Sequence, residues 1–391
     1  MEKAQVIPIS DLLRRRRPIS GTSSLLTSQP HAAALSVEGD AKTLNPNSSS
    51  GTKVLKSLSE PSVIIGTLSL PKLGDSLSSG MNSCQRCLSF SDSSASACCD
   101  VLDFDFRMIG RKIRVVSWNF TPSKMCGGLV EIIKWEFAEG SISSVDSFPL
   151  YSGGVNEDCR KARHNICGLL ESVSPVSLIP CTMGSNGNEE NLHSFIAEVS
   201  SCDCELCNGK DCKKVGPLVE RHDGHAFSQT NFVYFNGPAS CWHPAMLRLI
   251  GNVVSFSGLR KKLVYVGKEE AQLMFVTSNV TCLNYRKLHN KDISYRCVKT
   301  NLEGNGELGM YVGVVRGVYM QSMIVELDKE VWLLLMDQLL VVPHSLRVGA
   351  VLLLRNVHIV NPRFPWSKML ILGACHKTSI STVSFSSLET G

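Results

Sequence analysis

The sequence lacks a run of apolar residues long enough to act as a signal peptide or to cross a membrane. Near the N-terminus, Leu12 and Leu13 are followed at once by Arg14–Arg17, and no long apolar core precedes them. The most apolar region, residues 331–360, is broken by Pro343 and by several charged residues. We therefore expect no secretory route and no membrane partner.

Sequence motifs of common enzymes are missing as well. There is no phosphate-binding P-loop, no HExxH zinc motif and no GxSxG nucleophile motif. Residues 304–309 spell GxGxxG, but strand-like residues follow them, whereas a dinucleotide site needs a helix there. The acidic residues form no obvious metal-binding set. We therefore expect a protein that is not an enzyme.

The composition is that of a globular chain with two or three domains. Its 391 residues are 43% hydrophobic and 19% charged, which suits a folded protein better than a disordered one. The net charge of +5 is mildly basic, which permits a polyanionic partner without requiring one.

Cysteine is abundant, and one group of cysteines has spacing relevant to metal binding. Without a secretory signal, the 16 cysteines are expected to be reduced thiols or metal ligands. Cys202, Cys204, Cys207 and Cys212 could form a tetrahedral zinc site that replaces the missing core of a polar insertion. Structural zinc is therefore the one cofactor we consider. Reduced thiols in a loop are the alternative, because structural zinc sites usually join two CxxC pairs from separate segments.

Three stretches repeat the same order of features: IGRKIRV (109–115), IGNVVSF (250–256) and VGAVLLL (348–354). Each has an aliphatic residue, a glycine, and apolar residues three and five positions after the glycine. Those two apolar residues point to one face of a strand. The glycine allows the tight turn or bulge that leads a strand into a barrel. A glycine-containing strand precedes each stretch and another strand follows it, which indicates three copies of one unit.

The strand pattern predicts an all-β protein of tandem OB-fold-like five-stranded barrels. We expect the barrels at 61–145, 160–285 and 305–385, the second with a cysteine-rich insertion at 200–228. A single all-β barrel with irregular domains is the alternative.

Residues 1–60 are rich in Ser, Thr, Pro and Asn, which predicts a disordered, mobile N-terminal arm. Within it, the apolar stretch 6–13 could dock on a domain. The four arginines at 14–17 could be a nuclear import signal, a phosphate contact or a solvated patch.

Barrels of this type bind single strands by stacking bases on aromatic rings and placing cations along the backbone. The candidate nucleic-acid-binding residues are Arg114, Trp118, Lys134 and Trp135 in the first unit, and Arg260, Lys261 and Lys262 in the second. The third unit offers Trp332, Arg363, Phe364 and Trp366. Core packing is the commoner role of a single aromatic residue, and the run 260–262 could be solvated, so these alternatives stay open.

Several segments together resemble one family. They are LLRRRRPISG (12–21), CCDVLDFDFRMIGRKIRVVSWNF (98–120), EIIKWEF (131–137), FVYFNGPASCWHP (232–244) and SGLRKKLVYVGKEEAQLMFVTS (257–278). They are similar to the N-terminal region of the plant large subunit of the CST complex, an RPA-like assembly at telomeres and stalled replication.

The resemblance implies tandem OB folds, binding of single-stranded telomeric DNA, protection of chromosome ends and contact with DNA polymerase α–primase during fill-in replication. It also implies a nuclear, chromosomal and telomeric location. Family members continue far beyond residue 391. Their C-terminal barrels hold the two small CST subunits, so we expect that docking region to be absent here.

Two functions from different classes follow from these observations. The first is a single-stranded DNA-binding component of a telomere-capping complex. The second is a scaffold of OB barrels that docks a polymerase and touches no DNA. Salt-sensitive binding to single strands would distinguish them.

Overall fold

The computed structural model describes residues 4–22, 61–71, 87–123, 126–138, 147–150, 164–182, 189–202, 227–266, 270–286, 308–320, 322–335, 342–360, 369–386 and 388. The strands of the first third of the chain are β1 (Gln5–Val6), β2 (Ile19–Thr22), β3 (Ser62–Ser69), β4 (Leu88–Ser91), β5 (Ser96–Val101), β6 (Lys112–Ser123) and β7 (Gly127–Phe137). Those of the middle are β8 (Ser147–Pro149), β9 (His164–Val173), β10 (Ser177–Thr182), β11 (Glu189–Cys202), β12 (Phe227–Asn236), β13 (Val253–Val266), β14 (Glu270–Val276) and β15 (Cys282–Arg286).

The last strands are β16 (Gly309–Tyr319), β17 (Ile324–Leu327), β18 (Val331–Leu334), β19 (Val351–Ile359), β20 (Leu370–Gly373) and β21 (Ser379–Ser384). The helices of the described residues are α1 (Ile9–Leu13) and α2 (His243–Leu249), with 3-10 turns at Phe106–Met108 and Gly237–Trp242. Neither helix in this described part is long and apolar enough to cross a membrane.

The strand pairings close three barrels within the described ranges. The first barrel runs β3-β4-β5-β7-β6 and returns to β3, the second runs β9-β11-β12-β14-β13 and returns to β9, and the third runs β16-β17-β18-β20-β19 and returns to β16. In each barrel the third and fifth strands pair in parallel, while the other neighbours are antiparallel. This five-stranded order is that of the OB fold. The predicted fold class, tandem OB-like barrels, is confirmed.

The repeated glycine starts the fourth strand of every barrel. Gly110, Gly251 and Gly349 have φ of 75°, 85° and 88°, a left-handed conformation that favours glycine. Each amide donates to a carbonyl on the first strand of its own barrel: to Leu68 at 2.7 Å, to Leu170 at 2.8 Å and to Val315 at 2.8 Å. The glycine therefore turns the chain and ties the fourth strand to the first, which explains why the motif recurs.

Residues 4–22 differ from the predicted mobile arm, because they pack against the first barrel. Strand β1 pairs with β3, and β2 pairs with β6. Between them, α1 buries Ile9 and Leu12 completely. The turn between β4 and β5 holds the start of this helix, since the Asp92 carboxylate accepts from the Ile9 amide at 2.8 Å. Burial of apolar side chains outweighs the polar composition of this segment.

An aromatic cluster joins the first barrel to the second. The Phe106 ring stacks on Trp242 at 5.2 Å between centroids and meets Phe148 edge-on at 4.3 Å. The Trp242 indole donates to the Leu150 carbonyl at 3.0 Å. The buried residues of the two barrels form one continuous core, so these barrels pack as a unit.

The third barrel has a core of its own and meets the other two through polar contacts. Five residues form what we call the polar junction: Asp100, Glu131, Arg248, Ser345 and Arg347. Arg248 of the second barrel and Ser345 of the third both donate to the Asp100 carboxylate of the first, the latter at 2.7 Å. Arg347 donates from two guanidinium nitrogens to Glu131, with Nη2 at 2.7 Å. All three barrels therefore meet at the Asp100 carboxylate, and the first and third meet again at Glu131.

Candidate nucleic-acid interface

Trp118 lies in the core of the first barrel. Its side chain is 0% exposed, and the indole donates to the Ser62 carbonyl at 3.4 Å. Strand β2 covers the ring: Gly21 lies opposite Trp118, and a Cβ on that glycine would overlap the indole. This placement corrects the surface interpretation of Trp118, because no face of the ring is open to a base.

The other first-barrel candidates lie on β6 and β7. Arg114 forms an ion pair at 3.1 Å with Glu136, which is directly opposite on β7. Lys134 is exposed. The Trp135 indole donates to the Asp103 carbonyl at 2.9 Å, and its ring meets Phe137 edge-on at 5.1 Å. Because Glu136 offsets the charge of Arg114 and Trp135 is anchored, this face is less suited to phosphate and base contacts than the sequence indicates.

The second-barrel candidates are neighbours on one strand. Arg260, Lys261 and Lys262 are all exposed on β13, opposite Val276, Phe275 and Met274 of β14. The Lys261 ammonium lies 5.7 Å from the centroid of the Phe275 ring, which holds the side chain against the strand. Successive side chains of a strand point to opposite faces, so the three cations lie on both faces of the β13–β14 pair. This is a compact positive surface.

The predicted zinc ligands lie almost wholly outside the described residues. Cys202 is the last residue of β11, and Cys204, Cys207 and Cys212 fall in the stretch that is not described. The structure therefore does not bear on zinc binding there. In the described ranges, no group of three or more His, Cys, Asp or Glu side chains is placed to hold a metal ion.

The surface that OB folds use for oligonucleotides is the outer face of the second and third strands, and in the first barrel contacts between barrels cover part of it, at Asp100 of β5. Asp100 of β5 points outward, since its neighbours Cys99 and Val101 belong to the core. Asp100 belongs to the polar junction and lies beside Glu131 of β7, which is its partner in the β5–β7 register. Asp100 is 4% exposed and Glu131 0%. At these two residues, contacts between barrels occupy the surface on which an OB fold would otherwise bind its ligand.

In the third barrel, the corresponding outer face of the second and third strands carries an aromatic pair. Tyr319 at the end of β16 stacks on Trp332 of β18, with centroids 5.6 Å apart and planes 27° apart. The Tyr319 hydroxyl donates to Glu326 of β17 at 2.9 Å, which raises the pKa of Tyr319. Tyr319 and Glu326 were not among the sequence candidates. The signal was available: both lie on strands that flank a turn, beside the candidate Trp332.

Two family models match the chain. The model described as the N-terminal domain of plant CST telomere-maintenance complex subunit CTC1 matches residues 6–138, and the model for its second domain matches residues 162–283. The chain is also 41% identical over 409 aligned residues to the CST complex subunit CTC1 of Arabidopsis thaliana. That alignment covers 100% of the chain and 30% of the Arabidopsis protein, so the chain spans less than a third of its relative.

Solved structures with a weaker likeness include a replication protein A heterotrimer bound to ssDNA. It aligns with a TM-score of 0.34 and 10% identity over 59% of the chain and 51% of that protein. The tetrameric p202 HIN2 domain aligns with a TM-score of 0.22 and 11% identity, over 56% of the chain and 95% of that protein. These scores are low, so the fold assignment rests on the strand order of the barrels.

Proposed function

Because the chain belongs to the plant family of CST complex subunit CTC1, of which it represents the N-terminal region, we propose that it binds single-stranded DNA within that telomere complex. The role is non-enzymatic: it protects chromosome ends in the nucleus and supports DNA polymerase α–primase.

The observation that supports DNA binding most directly is the run of cations on the second barrel. Arg260, Lys261 and Lys262 are exposed on consecutive positions of β13. Arg260 and Lys262 share one face of the strand, about 7 Å apart, and Lys261 lies on the other, so a single strand that wraps around β13 can place a phosphate near each cation. A single strand is flexible enough to follow the curved surface around β13, whereas bending a stiff duplex to it would cost free energy. Backbone contacts of this kind bind without regard to sequence.

The test is fluorescence anisotropy of the purified chain with a labelled single strand of about 12 nucleotides, which is within the length that one OB fold covers. We expect binding to the single strand, weaker binding to the duplex of the same sequence, and weakened binding in the triple variant R260A/K261A/K262A. The matched control is R114A, which removes an exposed cation already paired with Glu136. Failure of the wild-type chain to bind at low salt would refute the proposed function.

A second candidate function is a protein-interaction scaffold, and the covered face of the first barrel favours it. Through Asp100 and Glu131, part of the face that could bind a ligand instead forms an interface between barrels. A rigid body built this way can present one surface to a polymerase. Co-elution of the chain with purified DNA polymerase α–primase, without any DNA binding, would support the scaffold over the first proposal.

A further inference from the structure

The third barrel carries an exposed aromatic surface that its core does not require. Val325 and Leu327 of β17 and Leu333 of β18 are 0% exposed and fill the barrel interior. Glu326 and Trp332 alternate with them, so they point outward. Tyr319 is 45% exposed and Met320, beside it, 70%. Contiguous exposed patches of large apolar side chains often mark interaction sites.

Register and a glycine fix the geometry of this surface. Gly317, Glu326 and Trp332 form one row across β16, β17 and β18. The Tyr319 ring lies over the glycine, where a Cβ would approach its atoms to 2.5–2.6 Å. The hydrogen bond to Glu326 holds the hydroxyl end of the same ring. The tyrosine is therefore pre-positioned, and little side-chain freedom remains to be lost on binding.

We propose that Tyr319 and Trp332 form a stacking platform for a nucleobase of a single strand, which extends the proposed DNA binding to the third barrel. The platform lies on the outer face of the second and third strands and at the loop between the first and second, where OB folds bind oligonucleotides. Flat aromatic faces stack on any base and so bind single strands without strong sequence preference. Arg316, exposed at the register shift just before Gly317, is the candidate cation for the adjoining phosphate.

Glu326 acts as a positioning residue in this arrangement. Its carboxylate accepts the Tyr319 hydroxyl and thereby orients the ring against Trp332. A bound base would stack on the exposed part of this pair and would not need to displace the carboxylate. The two aromatic rings favour a planar aromatic group of the ligand, and Arg316 favours an anionic backbone attached to it.

The test measures anisotropy of a fluorescein-labelled oligo-dT of about 12 nucleotides with full-length variants of the 391-residue chain. W332A and Y319A should each raise the Kd at least about fivefold, since one base stack is expected to contribute that much. Y319F keeps the ring but loses the hydrogen bond to Glu326, so it should raise the Kd, and by less than Y319A does. G317A keeps both aromatic rings but pushes Tyr319 aside, so it should weaken binding as Y319A does. Melting temperatures of all variants establish that they fold.

The outcomes separate this inference from the proposed function on which it rests. Wild-type binding that W332A and Y319A leave unchanged, while R260A/K261A/K262A weakens it, would overturn the platform and keep DNA binding. If the aromatic variants weaken binding and the triple variant does not, the platform is supported, and the proposed contacts of Arg260, Lys261 and Lys262 with DNA are overturned. No binding by the wild-type chain at low salt would overturn both. A fluorescence change on oligo-dT addition that is lost in W332F would support the platform independently.

Discussion

At the scale of single residues, the thiol of Cys126 has an environment that changes its chemistry. Cys126 is half-buried just before β7, and its sulfur contacts the Gly128 carbonyl at 3.7 Å. A hydrogen bond with the Cys98 side chain lowers the pKa of Cys126 to about 6, with further help from Ser123 and the charge of His344, although burial raises it. By contrast, burial raises the pKa of Cys241 to about 11.

These pKa values predict a selective reaction. Because the thiolate is the nucleophile, alkylation of Cys126 by iodoacetamide should rise with pH and reach half its maximum near pH 6, while Cys241 stays unreactive at neutral pH. Mass spectrometry of the labelled peptides measures both rates. In C98A, which removes the hydrogen-bonding thiol, the midpoint should move upward. A wild-type midpoint near the usual cysteine value of about 8.5 would contradict this account.

At the scale of elements, the glycine that starts each fourth strand is the feature most open to test. Gly110 has φ of 75°, and no atom lies within 4 Å of the position that a Cβ would take there. The cost of G110A is therefore backbone strain alone, about 1–2 kcal/mol in the free energy of unfolding. Asparagine tolerates this conformation better, so G110N should be less destabilising. Urea denaturation measures both, and an unchanged or raised stability in G110A would argue against the strained turn.

The elements were largely predictable from the sequence, and the reason is local. Alternation of apolar residues and the recurring glycine at Gly110, Gly251 and Gly349 are properties of short segments, so they predict strands and their place in a barrel. What covers an outer face is not local. Nothing near Trp118 in the sequence indicates that β2, about a hundred residues earlier, lies over its ring. The same limit hid the burial of Asp100, because Arg248 and Ser345, which contact it, come from the other two barrels.

At the scale of the whole molecule, the polar junction holds the barrels together. Glu131 is 0% exposed and accepts from Arg347 of the third barrel and from Asn119 of its own. Arg347 also donates to the Ser386 carbonyl at 3.0 Å. If Arg347 is lost, the Glu131 carboxylate is left buried without a compensating charge, which destabilises the first barrel. The stability of the first barrel therefore depends on docking of the third.

Breaking this pair should be far more costly than breaking a surface pair. R347A should lower the free energy of unfolding by about 3–5 kcal/mol, because it leaves Glu131 buried and unpaired. The matched control is R114A, whose partner Glu136 is exposed, and it should cost no more than about 1 kcal/mol. Urea denaturation of both variants gives the comparison. If R347A and R114A lowered the free energy of unfolding equally, the polar junction would not couple the barrels. The double variant E131A/R347A should cost less than the sum of its parts.

The central claim, that this region binds single strands through the exposed cations of β13, is tested most directly by the salt dependence of binding. For single strands, the slope of log K against log salt is about −0.7 per phosphate contact. Replacing Arg260, Lys261 and Lys262 with alanine should therefore make the slope less steep by about 2 for the oligo-dT strand. An unchanged slope in the triple variant, or a wild-type affinity that does not depend on salt, would contradict the account.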